Sequence, residues 1–359
     1  MVAIRWVWGL LGSAMLFAGT EMATAQELRE IPIFFAQTTP QTEADRLYDE
    51  GMSFFEQGIT NYQAALEKWE VALDIYQQQQ NHEKIALTNL ALGFVHNSLG
   101  KKQESLDYYE FALMAYRKIK DIDEEAKTLD NIGWSYNDLG EKQLALTYHQ
   151  QALALRESLE DLSGEALTLN RIGLIYSDLG EKQQALDYYQ QALPLSQAVG
   201  DRSGEATTLN NIGAVYDDLG EKQQALDFYQ QALPLSRAVG DRTGEATALN
   251  NIGLVYDALG EKQQALDYYQ QALPLRRVVG DRTGEAITLS NIGLVYDALG
   301  EKQQALDYYQ QVLPLFRAVG DSAGEATSLN NIGVIYSESW EKTACSRLLS
   351  TGTQPRTKS

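Results

Sequence analysis

The sequence predicts an all-α fold, a solenoid of tandem helix-turn-helix repeats, and three observations support this. A 40-residue period runs with little change from about residue 90 to residue 336. A period of this size means that one supersecondary unit is copied head to tail. Within each copy, apolar residues recur at helical spacing, and a glycine follows each helical stretch. A stack of such units offers a long repeated binding surface, but it rarely assembles the unlike groups that catalysis needs.

The unit is a helical hairpin, and the copy from Asp201 to Gly240 shows both of its helices. Asp201 offers an N-cap side chain, and Gly220 follows the last apolar residue of the first helix, as is common at helix C-termini. The stripe of the first helix is Leu209, Ile212, Gly213, Tyr216 and Leu219, which matches a period of about 3.6. The second helix repeats the stripe with Ala225, Leu226, Tyr229, Ala232 and Leu233. We expect the small residues Gly213 and Ala225 where the two helices cross.

This pattern resembles the tetratricopeptide repeat family, whose motif positions are matched by Leu209, Ile212, Gly213, Tyr216, Ala225, Tyr229 and Ala232. Leucine or another residue replaces the family's usual tryptophan, and the period is 40 residues rather than about 34. The longer period and the Leu-Asn-Asn-Ile-Gly string are similar to the kinesin-light-chain variety and its bacterial relatives. The resemblance implies a right-handed superhelix in which the first helices line an inner, concave wall.

The array is expected to occupy residues 43–338, as seven full repeats and a final lone helix. The segment 339–359 is expected to be irregular, because it shares nothing with the repeat beyond its first few residues. In it, Ser339-Trp340 stands where the previous copy has Leu299-Gly300. A reading-frame change just past Lys342 and a natural single-helix cap both explain this loss of pattern, and both explanations stay open.

The N-terminus is a different kind of sequence. Residues 1–25 are expected to be a secretory signal, because Trp6 to Gly19 is apolar and Ala23-Thr24-Ala25 supplies small residues for cleavage near Ala25. This predicts a periplasmic or secreted protein, with residues 26–42 as a flexible lead-in. An uncleaved membrane anchor is the alternative, although the apolar stretch is short for a span; contact with a membrane is expected only through this segment.

Composition and motifs exclude several function classes. With 49 acidic and 29 basic residues, a net charge of −20, the chain lacks the clustered positive charge that nucleic acids and anionic membranes attract. Cys345 is the sole cysteine, and His82, His96 and His149 occupy unrelated positions of different copies. We therefore expect no catalytic residues, no metal or cofactor and no small-molecule substrate, and we interpret the histidines as solvated or packed side chains.

A ligand is expected in the groove formed by the first helices, whose equivalent residues form rows along the stack. One row consists of asparagines interrupted by Arg171, which could accept one carboxylate of a ligand, and another consists of aspartates. An asparagine offers a donor and an acceptor, so it can pair with any peptide backbone; in kinesin-light-chain-like repeats such asparagines hold extended peptides. Duplication that copied every position alike would also produce these rows. The predicted groove residues are Asn131, Arg171, Asn210, Asn211, Asp217, Asn250, Asn251, Asp257, Asn291, Asp297 and Asn331.

These observations favour a non-enzymatic protein-interaction scaffold that binds a protein or an extended peptide, neutral or basic because of the aspartate row. Two alternatives stay open. In many cyanobacterial proteins similar to this one, such an array precedes a caspase-like protease domain of the kind called CHAT. No pattern of that domain occurs in this sequence, so the chain would be the sensor or regulatory arm of such an effector. The other alternative is a structural protein that self-associates through its last helix.

Overall fold

Helices alternate with tight turns along residues 42–351, the part of the chain that the computed structural model describes, with side chains from Thr42 to Ser337. Within this range there are fifteen α-helices and no strand, which confirms the predicted all-α repeat fold. In chain order α1 to α15 are Glu43–Glu56, Tyr62–Gln78, His82–Ser98, Lys102–Ile119, Ile122–Asp138, Lys142–Ser158, Leu162–Asp178, Lys182–Val199, Arg202–Asp218, Lys222–Val239, Arg242–Ala258, Lys262–Val279, Arg282–Ala298, Lys302–Val319 and Ser322–Thr351.

The predicted signal segment 1–25 lies outside the described residues, as does the lead-in apart from Thr42. Thr42 forms a capping box with Asp45 at the start of α1. The two side chains accept hydrogen bonds from backbone N–H groups that would otherwise lack a partner. A 3-10 turn at Ile59–Asn61 accounts for the longer connection between α1 and α2. No described helix is both long and apolar enough to cross a membrane.

Aspartate side chains begin the first helices of the later repeats. The side chain of Asp201 accepts a hydrogen bond from the backbone N–H of Gly204 at 2.9 Å, and Asp241 accepts one from Gly244 at 2.9 Å. Each bond satisfies one of the backbone donors that a helix N-terminus leaves without an intrahelical partner. The N-cap predicted from the sequence is therefore confirmed.

The last helix continues past the position where the other first helices end. Helix α13 ends before Gly300, whose φ of 81° is a left-handed conformation that glycine adopts without steric cost. The next copy has Trp340 at this position, and α15 runs on to Thr351. The irregular segment expected from residue 339 is thus helical as far as Thr351, because the glycine that ends the earlier helices is missing.

The chain divides into two compact units, residues 1–215 and 216–359, and in both of them consecutive helices pack as hairpins. A ring of the second helix lies directly on a glycine of the first. A β-carbon built on Gly173 would lie 2.6 Å from the ring of Tyr189 in the first unit, and one built on Gly253 would lie 2.6 Å from Tyr269 in the second. Only glycine permits this approach, so these helices cross closely at the repeat glycine as predicted.

Candidate functional site

The second unit presents amide and apolar side chains next to each other on its first helices. Asn251, Asn291 and Asn331 are half-buried at matching positions of α11, α13 and α15. Three residues further along, the side chains of Leu254, Leu294 and Val334 are 39%, 47% and 43% exposed. Residues three apart share a helix face, so each amide lies beside an exposed apolar group. We call these six residues the amide face.

The aspartate row of this unit is neutralised within the chain. The Nζ atoms of Lys222 and Lys262 lie 2.7 and 2.6 Å from carboxylate oxygens of Asp217 and Asp257, respectively. The third pair, Asp297 and Lys302, is 2.6 Å apart. Each aspartate therefore has a cation from the following helix as its partner. These ion pairs remove the electrostatic reason for expecting a basic ligand, because the row carries no uncompensated negative charge.

Two of the predicted groove residues are buried. Asn250 is 8% exposed, and its Oδ1 atom accepts hydrogen bonds from Asn291 Nδ2 at 3.3 Å and from Thr288 Oγ1 at 3.4 Å. Asn210 is likewise buried. Placing these two asparagines on an exposed groove was wrong. Each lies three residues before the repeat glycine, and residues three apart share a helix face, so this face meets neighbouring helices rather than solvent.

Arg171 does not face a groove either. Its side chain is 1% exposed, its guanidinium lies 5.7 Å from the centre of the Trp134 ring, and its Nη1 atom is 4.0 Å from Oδ1 of Asp130. The carboxylate that we expected a ligand to supply is therefore supplied by the chain itself. In contrast, Asn131 and Asn211 of the first unit remain half-buried at its surface.

Arg171 belongs to a buried group that we call the Asp130 cluster, which joins α5, α6 and α7. Oδ2 of Asp130 accepts hydrogen bonds from Arg156 Nη2 and from Thr168 Oγ1, both at 2.8 Å. Oδ1 of Asp130 lies 2.8 Å from Nδ1 of His149. The cluster consists of Asp130, His149, Arg156, Thr168 and Arg171.

The charges of the cluster set its protonation. Burial alone would raise the pKa of Asp130, but the guanidinium of Arg156, the hydrogen bond with His149 and the charge of Arg171 hold that pKa below its usual range. Burial lowers the pKa of the His149 imidazole and outweighs the opposite effect of Asp130. The cluster thus holds a carboxylate beside a neutral imidazole at neutral pH, in a place that a substrate does not reach.

The sequence carries a signal for this cluster in the positions where neighbouring copies differ. One copy later, the positions of Asp130, His149, Arg156 and Arg171 are occupied by Asn170, Tyr189, Ser196 and Asn211. Four departures from the repeat therefore occur together in two neighbouring copies, and their charges are complementary. His149 is a packed side chain, one of the two environments expected for the histidines, but its charged partners become visible only when the departures at all four positions are considered together. Within the described residues, no group of three or more metal-binding side chains could hold a metal ion.

Comparison with known proteins agrees with this architecture. The family model described as Tetratricopeptide repeat matches residues 84–158, 164–238, 235–278, 244–318 and 284–343. The structure is similar to that of BtubC (BKLC) from P. vanneervenii, with 20% identity, a TM-score of 0.52, and coverage of 62% of this chain and 90% of that one. No curated protein sequence matches the chain.

Two Rap structures are also similar. The apo form of RapI has 17% identity and a TM-score of 0.63, with 78% of this chain and 100% of that chain covered. A Rap protein complexed with Competence and Sporulation Factor has 15% identity and a TM-score of 0.57, with 93% of this chain and 96% of that chain covered. At these identities the likeness concerns the fold.

Proposed function

Because this chain belongs to the tetratricopeptide repeat family, we propose that it is a non-enzymatic scaffold that binds a protein or an extended peptide on its amide face. The observation that carries this proposal is the row of half-buried asparagines beside an exposed apolar row in the second unit. A Rap protein of similar fold was solved in complex with Competence and Sporulation Factor, which supports partner binding by this kind of architecture.

The chemistry of the face defines the ligand class. An asparagine amide donates and accepts, so Asn251, Asn291 and Asn331 suit a peptide backbone whatever its side chains are. Exposed Leu254, Leu294 and Val334 add apolar contacts that gain about 25 cal/mol for each Å² removed from water. Because lysines pair with the neighbouring aspartates, we propose a neutral ligand with apolar side chains rather than a basic one.

Selection from a display library of short random peptides, with the full chain as bait, tests this proposal. The asparagines at 251, 291 and 331 are then all changed to alanine, and the affinity of the selected peptides is measured by calorimetry. A neutral hydrogen bond contributes about 0.5–1.5 kcal/mol, so the loss of three should weaken binding roughly ten- to a thousand-fold. Thermal unfolding should shift only slightly, because the better helix propensity of alanine partly offsets the lost hydrogen bond from Asn291 to buried Asn250.

The matched control changes Gln224, Gln264 and Gln304 to alanine. These glutamines are exposed on the second helices, so their loss should leave peptide affinity intact. If the glutamine triple abolishes binding while the asparagine triple binds the peptides as well as the wild type does, the ligand uses the second helices and the proposed face is wrong.

We also propose that the chain acts in the periplasm or outside the cell. The support is the apolar run before Ala23-Thr24-Ala25, which has the pattern of a cleaved signal. Mass spectrometry of the protein from its own source should find an N-terminus near Gln26. An N-terminus at Met1 or Val2 would contradict both the signal and the compartment.

A further inference from the structure

The last helix has an uncovered apolar face where the preceding first helices are covered. Leu289 of α13 is 1% exposed, whereas the matching Leu329 of α15 is 47% exposed, and Tyr336 is 56% exposed. A β-carbon on Gly293 would meet the ring of Tyr309 at 2.6 Å, but one on Gly333 has no described atom within 4 Å. We call Leu329, Gly333 and Tyr336 the terminal face.

The opposite side of α15 is packed, so the terminal face is one side of a docked helix. Ile335 is 1% exposed and packs with Ala305, Leu306 and Tyr309 of α14. The same two-sided arrangement holds one repeat earlier, where Ile292 and Val295 pack on α12. What differs is the other side: α13 is covered there by α14, and no described helix covers the terminal face.

The covering helices show what fits such a face. In the second unit α12 and α14 both carry the pattern Ala-Leu-x-x-Tyr, and the tyrosine ring lies on the glycine of its partner helix. Further along α14, Val312 and Phe316 pack on Leu289. The face of α13 therefore accepts an amphipathic helix through a glycine that admits a ring and a leucine that contacts two apolar side chains.

We infer that the terminal face is a second docking site, which takes an amphipathic helix of a partner protein with the pattern Ala-Leu-x-x-Tyr followed by apolar residues at helical spacing. Leu329 and Gly333 reproduce the residues that hold such a helix on α13. Within the described residues the chain does not fold back to supply this helix itself, because α15 continues to Thr351 with Trp340 at the position of the turn glycine. The contact is helix on helix, unlike the backbone recognition proposed for the amide face.

The chain contains its own probe for this site. A labelled peptide of residues 301–320 carries α14 with its flanking turn residues, and its binding to the full chain is measured by fluorescence anisotropy. We expect saturable binding that weakens at least about tenfold with Gly333→Leu, because a branched side chain there excludes the ring. Changing the tyrosine of the peptide that matches Tyr309 to alanine should weaken binding to a similar extent.

Two controls separate this site from the amide face. Val334→Ser alters the neighbouring exposed side chain on the amide face and should leave affinity for the helical peptide unchanged, as should the asparagine triple variant. Gly333→Leu should keep the helix content of the wild type by circular dichroism, because no described atom lies near Gly333 and leucine favours helix over glycine. The experiments can therefore contradict the proposal for one of the two sites without affecting the proposal for the other.

Several results would overturn the inference. The wild-type chain could show no saturable binding to the peptide up to millimolar concentration, or Gly333→Leu could bind it equally well. A concentration-dependent dimer that Gly333→Leu abolishes would make a second copy the occupant. If the peptide binds only after residues 352–359 are deleted, the chain's own terminus is the occupant.

Discussion

At the same repeat position, the first unit places His149 against Gly133 and the second unit places Tyr269 against Gly253. The histidine lies in a buried group of charges, whereas Tyr269 packs with apolar neighbours such as Ile292 and Val295. In both units the contact joins the two helices of one hairpin. The two contacts differ in their sensitivity to substitution. Removing one partner of a buried charge lowers the free energy of unfolding more than loosening an apolar contact does.

The difference also affects the surface. In the first unit, Trp134 and Arg171 fill the positions that Leu254 and Asn251 occupy in repeats of the second, and they are buried against each other. Leu254 is exposed and Asn251 is half-buried. Around the Asp130 cluster, these two positions are therefore used for packing inside the protein. In the second unit the same two positions are accessible to a ligand. The repeats that contain the buried charges therefore also present a different surface.

The largest effect is expected when one charge is removed from the cluster. Arg156→Ser leaves the carboxylate of Asp130 buried without its closest cation, which should lower the free energy of unfolding by about 3–5 kcal/mol. Hydrogen exchange should show the loss of protection first in residues 122–178, because neighbouring repeats share their stability. Urea unfolding followed by circular dichroism gives the magnitude.

The chain supplies the control for this substitution. Replacing the cluster as a whole by the residues of the next copy, with Asp130→Asn, His149→Tyr, Arg156→Ser and Arg171→Asn, should be close to neutral, because exchanging a whole buried ionic group for packed residues often is. If this quadruple variant is as unstable as Arg156→Ser alone, the charges contribute stability that the apolar solution does not replace.

A smaller effect is expected from overpacking in the second unit. Gly253→Leu would drive a side chain into the ring of Tyr269, which lies 2.6 Å from the position of a β-carbon, and should cost about 1–3 kcal/mol. Gly333→Leu is the matched substitution at an open position and should cost nothing. Equal urea midpoints for the two variants would show that the ring of Tyr269 does not restrict the size of the side chain at position 253.

The smallest effect is expected from a change of one pH unit, and it acts through His149 of the first unit. His149 faces Asp130, Arg156 and Arg171, and burial lowers its pKa, so below about pH 6.5 the unfolded chain binds the proton more readily than the folded chain. Stability should therefore fall as the pH drops from 7 to 5, by no more than about 1.4 kcal/mol per pH unit for one proton. Urea midpoints of the wild type and the quadruple variant measure this.

The quadruple variant isolates the histidine. Burial also lowers the pKa of His96 and raises that of Glu124, but both residues are present in the two proteins and cancel in the difference. Asp130, whose pKa is lowered, stays ionised throughout this window. A wild type and a variant with the same pH dependence would contradict the assignment to His149.

Much of this molecule could be read from the sequence because its signals are local. The stripe of Leu209, Ile212 and Tyr216 predicts a helix, and the spacing to Ala225 and Tyr229 predicts the hairpin. The glycine contacts followed from the same pattern. The site was harder to predict: Asn251 and Asn291 are half-buried, but Asn250, next to Asn251 in sequence, is buried against the following repeat.

The sequence by itself determined the repeat, its helices and their turns, since helical periodicity, caps and turn glycines act over a few residues. Tertiary structure decided which polar side chains are exposed. Asp130 and Arg156 are 26 residues apart, and only the stacking of α5, α6 and α7 brings their charges together away from water. Gly333 is a second example: its sequence context matches that of Gly293, but of the two only Gly293 has the ring of a following described helix packed on it. Burial and pairing are properties of neighbouring helices, so no single helix could reveal them.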